Sequence, residues 1–155
     1  MASVEGTKLF TGLYQGSAPR SVADLRAARV DLLVLCAREL QPERETLRGI
    51  RYLRCPLDDN GSLSERHWQR AYSTATQVAR AVRRGQRVLV TCMQGRNRSG
   101  LVDGIALHLL TGSSGCATAD YIRRRRPTAL TNETFARALC QRLPRARPPD
   151  QRPWA

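Results

Sequence analysis

The sequence predicts an α/β fold, a central, mostly parallel sheet of four to five strands flanked by helices, and three observations predict it. Two apolar runs of strand length, 31–36 (Asp-Leu-Leu-Val-Leu-Cys) and 87–91 (Arg-Val-Leu-Val-Thr), have the pattern of parallel strands buried on both faces. Helix-patterned segments alternate with such strands along the whole chain. There is no internal repeat, and 155 residues leave room for one domain with its own core.

The elements follow in order. Residues 9–14, ahead of Gly16, read as one or two short strands ending in a turn. Ser21 is placed to cap a helix over 22–29, on which Val22, Leu25 and Ala28 share a face. The buried strand 31–36 comes next, then a strand over 49–57 that carries Ile50, Tyr52, Leu53 and Cys55 and is expected to stop at Pro56. Asp58-Asp59-Asn60-Gly61 is a strong turn signal. Ser64 opens a helix through Arg84, in which Trp68, Tyr72, Ala75, Val78, Ala79 and Val82 line one face and which Gly85 ends. Strand 87–91 runs into a loop and an apolar helix over 99–110, and helices over 117–125 and 132–143 follow on either side of Pro127. These define a folded domain over 1–143, with a flexible tail rich in Pro and Arg over 144–155.

Twenty-six Lys and Arg against thirteen Asp and Glu give a net charge of +13, and Lys8 is the only lysine. Such a surface draws anions, whether nucleic acid, acidic lipid or phosphorylated substrate, without choosing among them. No apolar stretch has membrane-spanning length and the first eight residues have no signal core, so a cytoplasmic protein, most simply a monomer, is expected. The Arg bias and lack of targeting segments suit a bacterial or phage source. The five cysteines are odd in number, widely spaced and without a Cys-x-x-Cys pair, which predicts reduced thiols rather than a disulfide framework or zinc site. Cys36, Cys55, Cys116 and Cys140 read as small buried hydrophobes. His67 and His108 lack metal-ligand spacing and read as a surface and a helix residue.

The chemistry concentrates in 92–100, Cys-Met-Gln-Gly-Arg-Asn-Arg-Ser-Gly. Cys92 falls at the carboxyl edge of the sheet, where α/β proteins bind ligands. Five residues separate it from Arg98, enough for a ring of inward amides over Met93, Gln94, Gly95, Arg96 and Asn97, backed by the positive end of the next helix. Arg98 closes such an oxyanion cradle with two parallel hydrogen bonds. The same field favours a Cys92 thiolate able to attack phosphorus.

Cys92-x5-Arg98-Ser99 with Gly95, after a Val-Leu-Val strand, resembles the signature loop of the cysteine-dependent protein tyrosine and dual-specificity phosphatases. Leu13-Tyr14-Gln15-Gly16-Ser17 is similar to that family's opening strand and turn, and Pro56-Leu57-Asp58-Asp59-Asn60 to its general-acid loop. Ile122 to Arg126, then Asn132 and Phe135, resembles the segment after the signature. Together these span about 9–143 in the family's order, at the size of its compact dual-specificity branch. The resemblance implies a protein tyrosine phosphatase-like fold and a phosphomonoesterase that needs no metal or other cofactor. Its substrates would be phosphotyrosine, and with it phosphoserine or phosphothreonine, in phosphorylated proteins.

In that scheme Cys92 takes the phosphoryl group as a thiophosphate ester. Asp59, with Asp58 as the alternate, protonates the leaving oxygen and then activates water. Ser99 donates to the sulfur, while loop amides 93–98 and the Arg98 guanidinium hold the phosphate. Thr91 departs from the family, which places His before the nucleophile; a hydroxyl brings no positive charge, so a thiol that ionises less readily and slower turnover are expected than in a His-containing relative.

Other readings stay open. The Arg surplus, and Asn97, which also precedes the signature Arg in RNA 5′-triphosphatase relatives, admit RNA 5′-phosphates or triphosphates, or phosphoinositides, on the same chemistry. Thr91 admits a non-catalytic pseudophosphatase that only binds phosphate. Aromatics are 5% and no stacking box appears, against a dedicated single-strand RNA module. Arg123-Arg124-Arg125-Arg126 reads first as a solvated face and second as a recruiter of RNA or acidic substrates. The acidic pair has its own plain reading, a turn that only shapes the backbone.

Overall fold

The computed structural model describes residues 4–146. In chain order the elements are β1 (Thr7–Phe10), β2 (Leu13–Ser17), α1 (Val22–Ala27), β3 (Leu32–Ala37), β4 (Arg51–Leu57), α2 (Glu65–Arg83), β5 (Val88–Cys92), α3 (Arg98–Thr111), α4 (Gly115–Arg125) and α5 (Glu133–Arg142). One five-stranded sheet has the order β1-β2-β5-β3-β4, with β1 antiparallel to β2 and every other pairing parallel.

The apolar runs read as strands are the two central ones, and their side chains are shared between two cores. Leu32, Val34 and Cys36 of β3, with Val88, Val90 and Cys92 of β5, pack against the inner faces of α2 to α5. Leu33, Leu35 and Leu89 point the other way, into a smaller cluster with Leu25 and Ala28 around α1. Burial on both faces is why neither strand alternates in polarity. At the end of β5, Cys92 therefore emerges beside the start of α3.

Three expectations change. The helix expected over 22–29 ends at Ala27 because Arg29 takes a left-handed backbone (φ 58°), which turns the chain into β3. Pro56 does not stop its strand: β4 continues through Leu57, since it lies at the sheet edge, where an absent N–H removes no ladder bond. Cys116 and Cys140, expected as buried free thiols, form a disulfide between α4 and α5, and both are exposed, whereas Cys36, Cys55 and Cys92 are free and buried. The wide spacing concealed the pair because α4 and α5 pack side by side; at Gly115 a Cβ would overlap the Leu139 carbonyl, so only glycine lets the helices approach this closely. Of the tail expected from Pro144, residues 147–155 lie outside the described residues, while the Ala146 N–H reaches the Gly112 carbonyl (2.9 Å).

Candidate active site

The loop after β5 is held from outside, and the way it is held fixes which groups face inward. The Gly95 carbonyl accepts from Gln15 Nε2 (3.0 Å) and Arg126 Nε (2.7 Å), and the Gln94 carbonyl from Arg126 Nη2 (3.2 Å). The Arg96 carbonyl accepts from the Leu130 N–H (3.1 Å) and Gln15 Nε2 (3.2 Å), and the Met93 carbonyl from the Ala18 N–H (3.4 Å). Four successive carbonyls are thus drawn outward. Among the described residues no protein acceptor takes the amide N–H groups of 93–97, which leaves them as donors on the inner side of the ring. Gly95 has φ +64°, and a Cβ there would sit 2.5 Å from the Gly16 carbonyl carbon, so the ring closes only with glycine.

Cys92 Sγ lies 3.3 Å from Ser99 Oγ, the first-turn hydroxyl of α3, and Ser99 is itself fixed by Gln15 Nε2 (3.1 Å). Thr91 does not touch the sulfur; its hydroxyl donates to the Val34 carbonyl on β3 (2.7 Å), so the position brings no charge to Cys92.

Arg98 is the second pole of the site. Its Nη1 and Nη2 grip both oxygens of Glu39 end-on (2.5 and 2.7 Å), and Nη1 also donates to the Leu57 carbonyl (3.1 Å). Nε, buried, has no partner among the described residues. Of the five guanidinium hydrogens, those left over are Nε–H and one on Nη2, the side edge that donates two parallel bonds to an oxyanion. Glu39 holds Arg98 firmly protonated, with the Cys92 and Asp59 charges adding to it. In return the Arg98 guanidinium holds the Glu39 carboxyl at about 2 against its usual 4.5.

The two candidate acids separate. Asp58 pairs with Arg38 (2.9 Å), away from the loop. Asp59 accepts from Asn97 Nδ2 in the signature loop (3.0 Å) and from Asn132 Nδ2 ahead of α5 (2.8 Å). Asn97 Oδ1 in turn accepts the Asn132 N–H (2.8 Å), so Asp59 is clamped to the loop by two amides that are themselves joined. Cys92, Ser99, Arg98, Asp59 and the amides of 93–97 come together, and Asp58 stands apart.

Three residues that position the site carried no sequence signal of that role. Glu39 lies 59 positions from Arg98 in a loop with no motif. Gln15 sits in the middle of a strand, and only the fold shows that its polar side chain is fully buried against the loop. Arg126 belongs to the basic run read as a solvated face, yet it is buried and also pairs with Glu5 (Nη2 to Oε2, 2.9 Å). Arg123 donates to the Leu130 carbonyl (2.7 Å) and Arg125 to the Lys8 carbonyl (3.0 Å), so three of the four arginines are committed to the protein's own backbone.

Beneath the loop lies Asp103 of α3, fully buried, with neither carboxyl oxygen partnered among the described residues; burial pushes its carboxyl well above the usual range, and the Cys92 charge pushes in the same direction. Burial likewise raises the Cys36 thiol, which marks it as an inert neighbour.

Comparison with known proteins places the fold in a family. Residues 13–143 match the family model "Dual specificity phosphatase, catalytic domain". Human DUSP28 superposes with a TM-score of 0.73 at 28% identity, covering 86% of this chain and 89% of that one. Tk-PTP in its active form gives 0.74 at 24% identity, covering 87% and 93%, and the human tyrosine phosphatase-like serine/threonine/tyrosine-interacting protein gives 0.72 at 19%, covering 87% and 93%. These last two share the fold. No curated protein sequence matches the chain. With the family model spanning most of its length, the chain belongs to the dual-specificity phosphatases.

Proposed function

We propose that the protein hydrolyses phosphomonoesters through a cysteinyl-phosphate intermediate, acting on phosphotyrosine and on phosphoserine or phosphothreonine in proteins. The observation that carries this reading is the inward ring of amides around Cys92, completed by the free side edge of Arg98. A phosphate dianion in the ring receives amide hydrogens on its equatorial oxygens and two more from Arg98. These donors are fixed before the substrate arrives, so the charge of the transition state is met without reorganisation.

In the first step the Cys92 thiolate bonds to phosphorus as the P–O bond to the leaving group breaks, and the leaving oxygen takes a proton from Asp59. In the second, Asp59 as the carboxylate takes a proton from water, whose oxygen bonds to phosphorus as the P–S bond breaks. Ser99 Oγ, at 3.3 Å, donates to the sulfur and stabilises it as the departing thiolate. Asp59 suits the acid–base role better than Asp58 because its clamp to Asn97 keeps it on the loop. Of the basic run only Arg126 is buried; Arg123 and Arg125 donate to backbone carbonyls and keep their charge at the surface, so the RNA 5′-phosphate reading stays the alternative to be tested.

The test is hydrolysis of para-nitrophenyl phosphate, without added metal, by the wild type and Cys92→Ser, with vanadate as inhibitor. Vanadate-sensitive turnover that disappears in Cys92→Ser supports the mechanism. Vanadate binding by the wild type without turnover makes the protein a phosphate reader instead.

A further inference from the structure

A second cationic site adjoins the acid loop. Arg38 at the end of β3, Pro56 on β4, and Arg66, His67 and Arg70 in the first two turns of α2 line a cleft of about 380 Å³. Among the described residues no carboxylate lines it. Asp58, beside it, engages one hydrogen of Arg38, and Glu65, the acidic residue at the start of α2, is turned away into a pair with Arg142 (2.7 Å). Among the described residues Arg66 makes no hydrogen bond or ion pair. Three guanidinium groups and an imidazole thus face one cleft with a single neighbouring carboxylate, an excess of positive charge that a monomer gains nothing from concentrating.

The cleft is tied to the phosphate cradle through the backbone. Arg70 Nη1 donates to the Pro56 carbonyl (2.8 Å) and Arg98 Nη1 to the next one, Leu57 (3.1 Å). The two arginines donate to adjacent peptide groups of β4, which puts their guanidinium groups within about 11 Å of each other. A side chain two or three residues along an extended peptide covers such a distance, at about 3.4 Å per residue.

We propose that this cleft is a specificity subsite for an anionic side chain of the substrate peptide, two or three residues from the phosphorylated one. The inference rests on the phosphatase reading above. A carboxylate of Asp or Glu and a second phosphoryl group share the chemistry the arginines recognise.

The test compares kcat/KM for phosphotyrosine peptides that carry Glu, phosphoserine, Ala or Lys two and three residues to either side, using the full chain and its Arg66→Ala and Arg66→Glu forms. Kd for the same peptides is measured on Cys92→Ser, alone and combined with Arg66→Glu. The wild type is expected to prefer Glu over Lys by about threefold to tenfold at one of these positions, with a preference that weakens in salt. Arg66→Glu is expected to bring that ratio to about one or invert it. Phosphoserine preferred over Glu identifies a phosphoryl ligand, and equal preference shows that a carboxylate suffices.

A Glu preference that survives Arg66→Glu overturns the proposal, because the chain's overall positive charge then supplies it. Absence of any preference overturns it too. Failure of the phosphatase reading looks different: para-nitrophenyl phosphate is not turned over, while the Kd values on Cys92→Ser still report on the cleft.

Discussion

Replacing Glu39 tests how Arg98 is aimed. The carboxylate occupies the end of the guanidinium and leaves the Nε–Nη2 edge for phosphate, so its removal frees Arg98 to rotate while taking no donor from the substrate. The Arg98 side chain is 8% exposed but that of Glu39 is 51% exposed, so solvent screens much of the pair and about 1 kcal/mol remains as its contribution to holding the arginine. That corresponds to about a fivefold fall in kcat/KM for Glu39→Gln. Glu39→Ala, which keeps no acceptor, falls further, to about tenfold. The assay is para-nitrophenyl phosphate hydrolysis near neutral pH, with vanadate Ki as the readout of oxyanion affinity and a melting curve to confirm folding. Because the Glu39 carboxyl is pulled down to about 2, its contribution is complete above pH 4.5 and is lost only as pH falls toward 2. The pH–rate profile in the ordinary assay range is therefore unaltered in shape by Glu39→Gln. A variant with higher kcat/KM and tighter vanadate binding would refute the reasoning, showing that Glu39 competes with phosphate for Arg98.

Other consequences are open to measurement. Asp103→Val removes a buried carboxyl with no partner and should raise stability by about 1–3 kcal/mol at neutral pH, or about 5 °C in Tm. Since the folded protein holds that carboxyl above its usual 3.8, the penalty grows as pH rises from there, so the gain is larger at alkaline than at acid pH; a pH-independent fall in Tm would contradict this. The Cys116–Cys140 bond closes a loop of sequence separation 24, worth about 3 kcal/mol in chain entropy, so Cys116→Ser should lower Tm by about 10 °C; thiol titration of the unfolded wild type should find three free thiols, and finding five would remove the disulfide. Arg126→Met strips the donor from the Gln94 and Gly95 carbonyls and should lower kcat/KM more than tenfold, while Glu5→Gln, at a half-exposed partner, costs little; equal losses would mean that the ion pair rather than the loop contacts matters.

Local signals made the strands and the nucleophile loop legible. The runs 31–36 and 87–91, which became β3 and β5, stood out because burial on both faces leaves them almost wholly apolar, and Cys92, Gly95, Arg98 and Ser99 because the ring closes within eight residues. What escaped was non-local. Glu39 meets Arg98, Arg126 meets Gly95 and Cys116 meets Cys140 only once the elements are packed, and nothing in their own surroundings marks the partner. The Asp58 and Asp59 ambiguity was of the same kind, since only contact with Asn97 and Asn132 tells two adjacent carboxylates apart. Pro56 was misread because a strand-breaking rule holds for central strands, and the position of β4 at the sheet edge is a property of the assembled sheet.

In the proposed mechanism the phosphoryl group passes through the Cys92 sulfur. Para-nitrophenolate leaves without much help from an acid, so in Asp59→Asn the first step with this substrate persists while release of the phosphoenzyme, which needs the base, slows. Acid quenching of Asp59→Asn during turnover, followed by mass analysis of its peptides, should find phosphate on the peptide containing Cys92 and none in the Cys92→Ser, Asp59→Asn double variant. Turnover with no phosphate on Cys92 at any quench time would contradict the mechanism.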